Sequence, residues 1–139
     1  MDQKEIVLSD SWTYKGTMVS DMPNLPWSFG YIRSSWTLRS DMVAKFVCRL
    51  LGNLDQIGAP QCTPRLGKDD LGMNGTAFID ADDFAPGYMR RGTSRLPKQG
   101  NQEPWINIQE YYVESETIPQ LSFEDGVLVF DNHQDKKIA

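Results

Sequence analysis

One stretch in the first half of the chain has the apolar spacing of an amphipathic helix. The apolar stripe recurs every four positions and consists of Leu38, Met42, Phe46, Leu50 and Leu54, widened by Val43, Val47 and Leu51. Polar side chains, Arg39 among them, fall mainly on the opposite side. A hydroxyl of Ser34 or Ser35 is expected to cap the amino end by accepting from an unpaired backbone N–H, and Gly58 marks the stop. The pattern predicts a long helix from near Thr37 to Gly58 with one buried face.

Shorter runs of β-branched and aromatic residues predict strands on both sides of this helix. Two short strands around a turn are expected within residues 6–19, and residues 27–32 form a compact apolar segment that suits a buried central strand. After the long helix, the pattern predicts short helices at 86–91 and 104–112, with Pro104 at the first helical position, a last strand at 127–130 and a mobile loop at 66–75. The predicted fold class is therefore α+β.

Composition and charge exclude several classes of function. With 139 residues, 40% apolar and 24% charged, the chain is expected to fold as a globular unit. Its net charge is −5 and its basic residues are scattered, so we expect no nucleic-acid partner. No apolar run approaches the ~20 residues of a membrane span, and the polar start at 1–5 does not resemble a secretory signal. Two cysteines, Cys48 and Cys62, suit a reduced compartment, and we expect a cytoplasmic protein.

Common catalytic motifs are missing from the printed sequence. No two of the eleven glycines lie two positions apart, so there is no G-x-G-x-x-G dinucleotide fingerprint, and there is no phosphate-binding P-loop. His133 is the single histidine and is read as a solvated tail residue. Asp80, Asp82 and Asp83 form an acidic cluster, but its spacing lacks the glycine and glutamate of a calcium-binding EF-hand loop, which favours a solvated loop. We predict no metal site and no catalytic residue.

Several multi-residue segments resemble one enzyme family in the family's own order. Residues 14–41 read YKGTMVSDMPNLPWSFGYIRSSWTLRSD. They resemble a stretch of bacterial flavin-binding monooxygenases, of the Baeyer-Villiger and flavin-containing type, that runs approximately Y-K-G-M-M-L-S-G-V-P-N-L-x-F-x-x-G-Y-T-N-A-S-W-T-L-K-x-D. Further on, residues 46–51, 61–65 and 95–100 resemble the family's Y-V-C-R-L-L, Q-C-T-P-R and R-F-P-K-Q-G. The resemblance covers about Trp12 to Phe130.

The resemblance implies that the chain is the carboxy-terminal portion of such an enzyme. Residues 1–58 would be the last part of a Rossmann-type α/β FAD-binding domain, and residues 59–139 an extension. Aromatic side chains would fasten that extension to the nucleotide-binding core, namely Phe84, Tyr88, Trp105, Tyr111 and Tyr112. Complete members carry two glycine motifs upstream, for FAD and NADPH, and oxygenate a ketone or a nitrogen or sulfur centre through a peroxyflavin.

The isolated chain is accordingly expected to be inactive and to bind no FAD tightly. Its partner would be the missing amino-terminal portion, and its uncovered surfaces are expected to cause self-association. The alternative is a stand-alone, non-catalytic binding or interaction module derived from the same fold.

The cofactor-contacting residues implied by the resemblance are Ser35, Trp36, Thr37 and Leu38. A strand, a serine-containing turn and a helix start would meet there, so unpaired N–H groups and a helix dipole converge on an anion-accepting corner. In flavoproteins of this class, the pyrimidine edge of the flavin ring would lie there. Two other readings remain open, since Trp36 suits a core aromatic and Ser35 and Thr37 suit simple caps. Ile32, Arg33 and Ser34 stand where the family has Thr, Asn and Ala, so their contacts would differ.

Overall fold

The computed structural model describes residues 6–79 and 86–131. Its helices are α1 (Trp36–Ile57), α2 (Gly87–Gly92) and α3 (Tyr111–Thr117), and its strands are β1 (Thr13–Tyr14), β2 (Met18–Val19), β3 (Gln61–Pro64) and β4 (Leu128–Asp131). The predictions for Asp80, Asp82, Asp83, Phe84 and His133 lie outside the described residues. No helix within the described ranges has the length and apolarity to cross a bilayer.

The long helix is confirmed, with corrections on its surface. Helix α1 follows Ser35 and ends at Gly58, which takes the left-handed conformation at φ 66° that favours glycine. The predicted stripe is buried at Met42, Val43, Phe46, Leu50 and Leu54. Leu51 was expected to widen the stripe but is 55% exposed, and Arg39 was assigned to the polar side but is completely buried. The assignment of Arg39 was wrong because its charge is neutralised inside the protein.

The predicted pair of short strands is also confirmed. Strands β1 and β2 form an antiparallel hairpin in which Thr13 pairs with Val19 and Tyr14 with Met18. The turn between them includes Lys15 and Gly16, both at positive φ. A second antiparallel pair joins β3 to β4, with Cys62 opposite Phe130. The sequence predicts β4 at the correct place, whereas β3 carries no clear strand signal.

Two predicted elements do not form. Residues 27–32 contain no strand, because the only backbone pairing beside them within the described chain is a bridge between Met18 and Pro26 and a bond from the Trp27 N–H to the Thr17 carbonyl. Residues 104–110 contain no helix, and α3 begins only at Tyr111. Their backbone bonds outside the segment instead, since the Pro104 carbonyl accepts from the distant Lys15 and the Trp105 carbonyl from the nearby Gly100. The short helix predicted at 86–91 is confirmed as α2.

One main core joins the two halves of the described chain. It draws buried residues from both sides of position 58, including Tyr14, Phe46, Cys62, Trp105 and Leu128. A smaller cluster of Phe78, Ile79 and Met89 packs with Trp27, Phe29, Ile32 and Leu96, beside the turn that leads into α1. The mixture of helices and two small sheets agrees with the α+β class. The Rossmann-type origin of residues 1–58 stays a prediction.

Candidate functional site

The start of α1 presents backbone N–H groups that lack acceptors among the described residues. The backbone N–H of Leu38 bonds to the carbonyl of Ser35, with a nitrogen–oxygen distance of 3.2 Å. Among the described residues, nothing accepts from the N–H groups of Trp36 and Thr37. The first turn carries no acidic side chain of its own. The positive end of the dipole of a 22-residue helix is therefore open to an electron-rich group.

The side chains at the start of α1 do not act as simple helix caps. Ser35 does not cap the helix with its side chain, because its hydroxyl lies 2.8 Å from the hydroxyl of Thr37. For Ser35, the expectation of a hydroxyl bonded to a helix N–H is therefore wrong. Ser35 and Thr37 are exposed and Trp36 is 47% exposed, whereas Leu38 packs against the main core. The four predicted site residues lie together, and three of them reach the surface of the chain.

An aromatic cluster supports one side of the corner. The Trp36 ring lies 5.3 Å from the Phe29 ring, centroid to centroid, with 44° between their planes. Phe29 in turn meets Phe78 edge-on at 5.2 Å, and Trp27 lies 4.9 Å from Phe78. Gly30 permits this arrangement, since a β-carbon at that position would overlap the Trp36 ring. Trp36 is therefore a half-exposed aromatic side chain rather than an interior core aromatic.

The turn that leads into α1 is held from outside by a residue distant in sequence. The Ile32 N–H donates to the side-chain oxygen of Gln109 at 3.2 Å. Gln109 has a φ of 58°, a left-handed conformation that non-glycine residues seldom adopt. On the helix side, the Ser40 hydroxyl lies 3.2 Å from the Ser28 hydroxyl and also bonds the Trp36 carbonyl. These contacts fix the turn relative to the helix.

A buried ionic group lies one turn inside the helix and was missed by sequence reasoning. The Arg39 guanidinium forms an ion pair with Glu114 of α3, and both side chains are almost fully buried. It also donates to the Lys15 carbonyl at 3.1 Å and to the Asn107 side-chain oxygen at 3.4 Å, and it lies 5.2 Å from the centre of the Tyr31 ring. Helical spacing could have revealed it, because position 39 lies three and four residues before Met42 and Val43. Its charge led to the opposite assignment.

Burial controls the ionisation of the groups around Arg39. Burial raises the pKa of Glu114, while the nearby Arg39 charge opposes this shift. Burial also raises the pKa of Tyr31, and the Glu114 carboxylate raises it further. Tyr31 therefore stays protonated at neutral pH. The Arg39–Glu114 pair links α1 to α3 within the protein interior and presents no open charge to a ligand.

The remaining groups of interest in the described part of the chain are its potential metal ligands, its cysteines and the aromatic side chains after position 58. Residues 6–79 and 86–131 contain no cluster of three or more histidine, cysteine or acidic side chains that could hold a metal ion. The two cysteines are free, with Cys48 exposed on α1 and Cys62 buried in β3. Trp105 and Tyr111 pack on the main core, as expected of the aromatic residues that follow position 58. Tyr88 and Tyr112 are 64% and 78% exposed, so neither ring is buried in the core of the described residues.

Comparison with known proteins identifies relatives that are much longer than this chain. It is 36% identical over 131 residues to the FAD-containing monooxygenase EthA of Mycolicibacterium smegmatis, covering 94% of this chain and 26% of that protein. It is 35% identical over 133 residues to the putative FAD-containing monooxygenase MymA of Mycobacterium tuberculosis, again covering 94% of this chain and 26% of the relative. The probable FAD-binding monooxygenase AlmA of Acinetobacter baylyi is 36% identical over 135 residues, covering 97% of this chain and 26% of that protein.

No family model matches the chain, and no solved structure matches it significantly. The chain spans about a quarter of the length of these curated relatives. It is therefore a homologue of the FAD-containing monooxygenases over about a quarter of their length, as the resemblance of its motifs predicts.

Proposed function

We propose that the chain is the carboxy-terminal portion of an FAD- and NADPH-dependent monooxygenase and that the start of α1 contacts the flavin. The flavin-contacting residues in this proposal are Ser35, Trp36, Thr37 and Leu38. The observation that carries the proposal is the pair of N–H groups of Trp36 and Thr37, which lack acceptors among the described residues and lie at an exposed helix start. The relatives, all named for FAD, support the same choice of cofactor.

The chemistry of the corner fits a flavin better than a bare phosphate. Phosphate groups bind at helix starts through N–H groups, but they do not need an aromatic wall. A flavin ring offers an apolar face for Trp36 and an edge on which negative charge accumulates when the ring is reduced. A helix start typically stabilises such a charge by ~0.3–1 kcal/mol, and by up to ~2 kcal/mol when partly buried. The absence of a carboxylate from the first turn leaves this attraction unopposed.

The bound flavin would supply the redox chemistry by which NADPH and O₂ oxygenate a ketone or a nitrogen or sulfur centre. The residues of this chain would orient the ring, donate backbone hydrogen bonds to its edge and shield one face from water. The printed sequence carries no glycine fingerprint for either dinucleotide. The proposal therefore assigns tight FAD binding to an assembly with the missing amino-terminal portion, and it assigns no catalytic residue to this chain.

Exposed apolar side chains support a role in such an assembly. On α1 and α3, the exposed large apolar side chains include Trp36 at 47%, Tyr112 at 78% and Val113 at 44%. Leu51 on α1 is exposed as well. Scattered exposed side chains are common, but aromatic residues exposed to this extent suit a surface that another polypeptide covers. We propose that the missing portion covers it in a cytoplasmic enzyme, and that the isolated chain self-associates through it.

A chimera tests the proposal directly. The matched segment of the M. smegmatis EthA protein is replaced by this chain over the 131 aligned residues. The purified chimera is expected to be yellow and to retain about one FAD per polypeptide, whereas the isolated chain is expected to retain none. Flavin absorbance per protein measures both. Light scattering of the isolated chain across a wide concentration range tests self-association in the same preparation.

The outcomes separate the two readings of the sequence. Retention of FAD by the chimera, with NADPH consumption in the presence of O₂, supports a portion of a flavoenzyme. A folded chimera that retains no FAD would contradict the proposal and favour the stand-alone binding module. Circular dichroism establishes folding before flavin is measured, so that an unfolded chimera is not scored.

A further inference from the structure

We infer that Arg39 is a positioning residue, which holds the first turn of α1 where its N–H groups face the flavin. The inference rests on the proposed function, because flavin contact by the first turn belongs to that proposal. The effect of Arg39 on the position of the first turn can be tested in this chain alone. Arg39 is the fourth residue of α1, directly after the predicted flavin contacts. It is 0% exposed and is one of the largest fully buried side chains among the described residues.

Three separate segments meet at the Arg39 guanidinium. The β1–β2 turn supplies the Lys15 carbonyl at 3.1 Å. The segment before α3 supplies the Asn107 side-chain oxygen at 3.4 Å, and α3 itself supplies the Glu114 carboxylate. Asn107 is held in turn by the Phe78 carbonyl at 2.9 Å, which connects this group to the aromatic cluster under Trp36. The start of α1 is therefore fixed in relation to several distant parts of the chain.

The hairpin turn leaves space for this contact. A β-carbon at Gly16 would overlap both the Arg39 guanidinium and the Asn107 side chain. Gly16 also has a φ of 63°, so a larger residue would be strained there for a second reason. Gly16 and Arg39 both belong to the family-like stretch of residues 14–41, in which the family has lysine at position 39. Two distant parts of this stretch are thus joined in one contact.

Charge at this position does not favour the helix itself. A cation near the amino end of a helix opposes the dipole, and a buried cation loses its hydration. Glu114 offsets both effects by placing a carboxylate against the guanidinium. A buried ion pair whose charges cancel contributes mainly geometry, since the planar guanidinium directs several donors along fixed directions. We therefore assign Arg39 to positioning and not to charge stabilisation of the cofactor.

The test compares Arg39→Lys and Arg39→Met with the matched control Arg49→Met in the isolated chain. Arg49 also tethers α1, but ten residues later, through the Ile118 carbonyl at 3.1 Å and the Leu121 carbonyl at 2.7 Å. Amide exchange is measured by NMR at residues 40–43, whose N–H groups bond to carbonyls of the first turn, and at residues 50–53. Arg39→Met is expected to raise exchange at 40–43 by roughly tenfold more than at 50–53, since local opening has its own free energy.

Arg49→Met is expected to raise amide exchange more at residues 50–53 than at residues 40–43. Arg39→Lys keeps one donor group and is expected to show a smaller change at 40–43, with shifted resonances for the Trp36 and Thr37 N–H groups. If Arg39→Met does not fold, the inference is judged by Arg39→Lys, from the rise in exchange at residues 40–43 relative to that at 50–53. Exchange that rises equally at both ends of α1 in the folded Arg39 variants would overturn the inference, because it would show general destabilisation only.

The chimera provides the functional readout. The Arg39 variants are expected to lower FAD retention, with partial rescue by lysine, and Arg49→Met is expected to leave it nearly unchanged. If the unmodified chimera holds no FAD, the proposed function fails while the exchange result stands. If it holds FAD and both Arg39 variants hold it equally well, the inference fails while the proposed function stands.

Discussion

The ring of Trp36 lies directly over Gly30, where no space remains for a side chain. Substitution Gly30→Ala would force the ring away and would disrupt its contact with Phe29, whose ring centre is 5.3 Å distant. Aromatic pairs of this kind contribute ~0.5–1.5 kcal/mol, so the free energy of unfolding is expected to fall by about 1 kcal/mol. Urea unfolding measures the change, and near-UV circular dichroism reports the displaced indole.

The control for this substitution is Gly52→Ala, in the carboxy-terminal half of α1. A β-carbon at Gly52 would contact nothing within 4 Å. Alanine is the better helix former, so this variant is expected to gain ~0.5–1 kcal/mol. A Gly30→Ala chain as stable as the unsubstituted protein, with an unchanged near-UV spectrum, would show that Trp36 is not held by this contact.

The N–H group of Trp36 can be removed without disturbing the helix. Trp36 is the first residue of α1, where proline is well tolerated, and Ser35 before it has the extended conformation that a following proline requires. Trp36→Pro and Trp36→Ala both remove the ring, but only proline removes the N–H group. We expect the proline variant of the isolated chain to be at least as stable as the alanine variant by urea unfolding.

In the chimera, comparison of Trp36→Pro with Trp36→Ala measures the contribution of the backbone N–H group to flavin binding. The proline variant is expected to bind reduced flavin more weakly than the alanine variant by ~0.3–2 kcal/mol, the range for a group at a helix start. The midpoint potential of the bound flavin should fall accordingly, because reduced flavin loses more binding free energy than oxidised flavin does. Equal potentials in the two chimeras would indicate that this N–H group does not face the flavin.

Substitution of Ser35 is expected to affect helix stability and cofactor binding in opposite directions. Its hydroxyl contacts the hydroxyl of Thr37 and caps no backbone N–H group. Ser35→Asp introduces a carboxylate that can accept from the helix start, so the isolated chain is expected to gain about 0.5–1 kcal/mol in thermal unfolding. The same negative charge would occupy the region proposed for the flavin edge, so FAD retention by the chimera is expected to decrease.

Asparagine at the same position separates capping from charge. Ser35→Asn can cap the helix equally well but carries no charge, so it should stabilise the isolated chain and weaken FAD retention much less than aspartate does. If aspartate and asparagine affect retention equally, the corner does not favour anionic ligands. That outcome would remove the electrostatic part of the proposed function.

Local signals explain which elements the sequence could predict. Helix α1 follows from an apolar period sustained over five turns, with Gly58 as its stop, and the β1–β2 hairpin follows from two short runs around a glycine turn. Both depend on residues near one another in the chain. Arg39 could not be assigned in this way, because its partner Glu114 is 75 positions away. Burial of a charge becomes favourable only when such a distant partner is present.

The failed predictions have a similar origin. Residues 27–32 have strand composition, but a strand needs a neighbour, and within the described chain only a single bridge at Pro26 is available. Residues 104–110 begin with a proline that suits a first helical position, but the Pro104 carbonyl accepts from Lys15 and Gln109 takes a left-handed φ of 58°. The location of the candidate site at the start of α1 could be predicted from the helix boundary and the family resemblance. The aromatic cluster that supports Trp36 depends on a tertiary contact between Phe29 and Phe78 that no local pattern contains.

The two cysteines are expected to differ strongly in reactivity. Cys48 is exposed on α1, whereas Cys62 is fully buried in β3. Burial, together with the nearby charges of Asp125 and Asp131, raises the pKa of the Cys62 thiol to about 12. Because the thiolate is the reactive form, iodoacetamide at pH 8 is expected to modify one thiol in the native chain and both after unfolding in urea. Mass spectrometry should show no native labelling in Cys48→Ser and unchanged labelling in Cys62→Ser. Native Cys48→Ser labelled as fast as the unfolded chain would show that β3 opens readily.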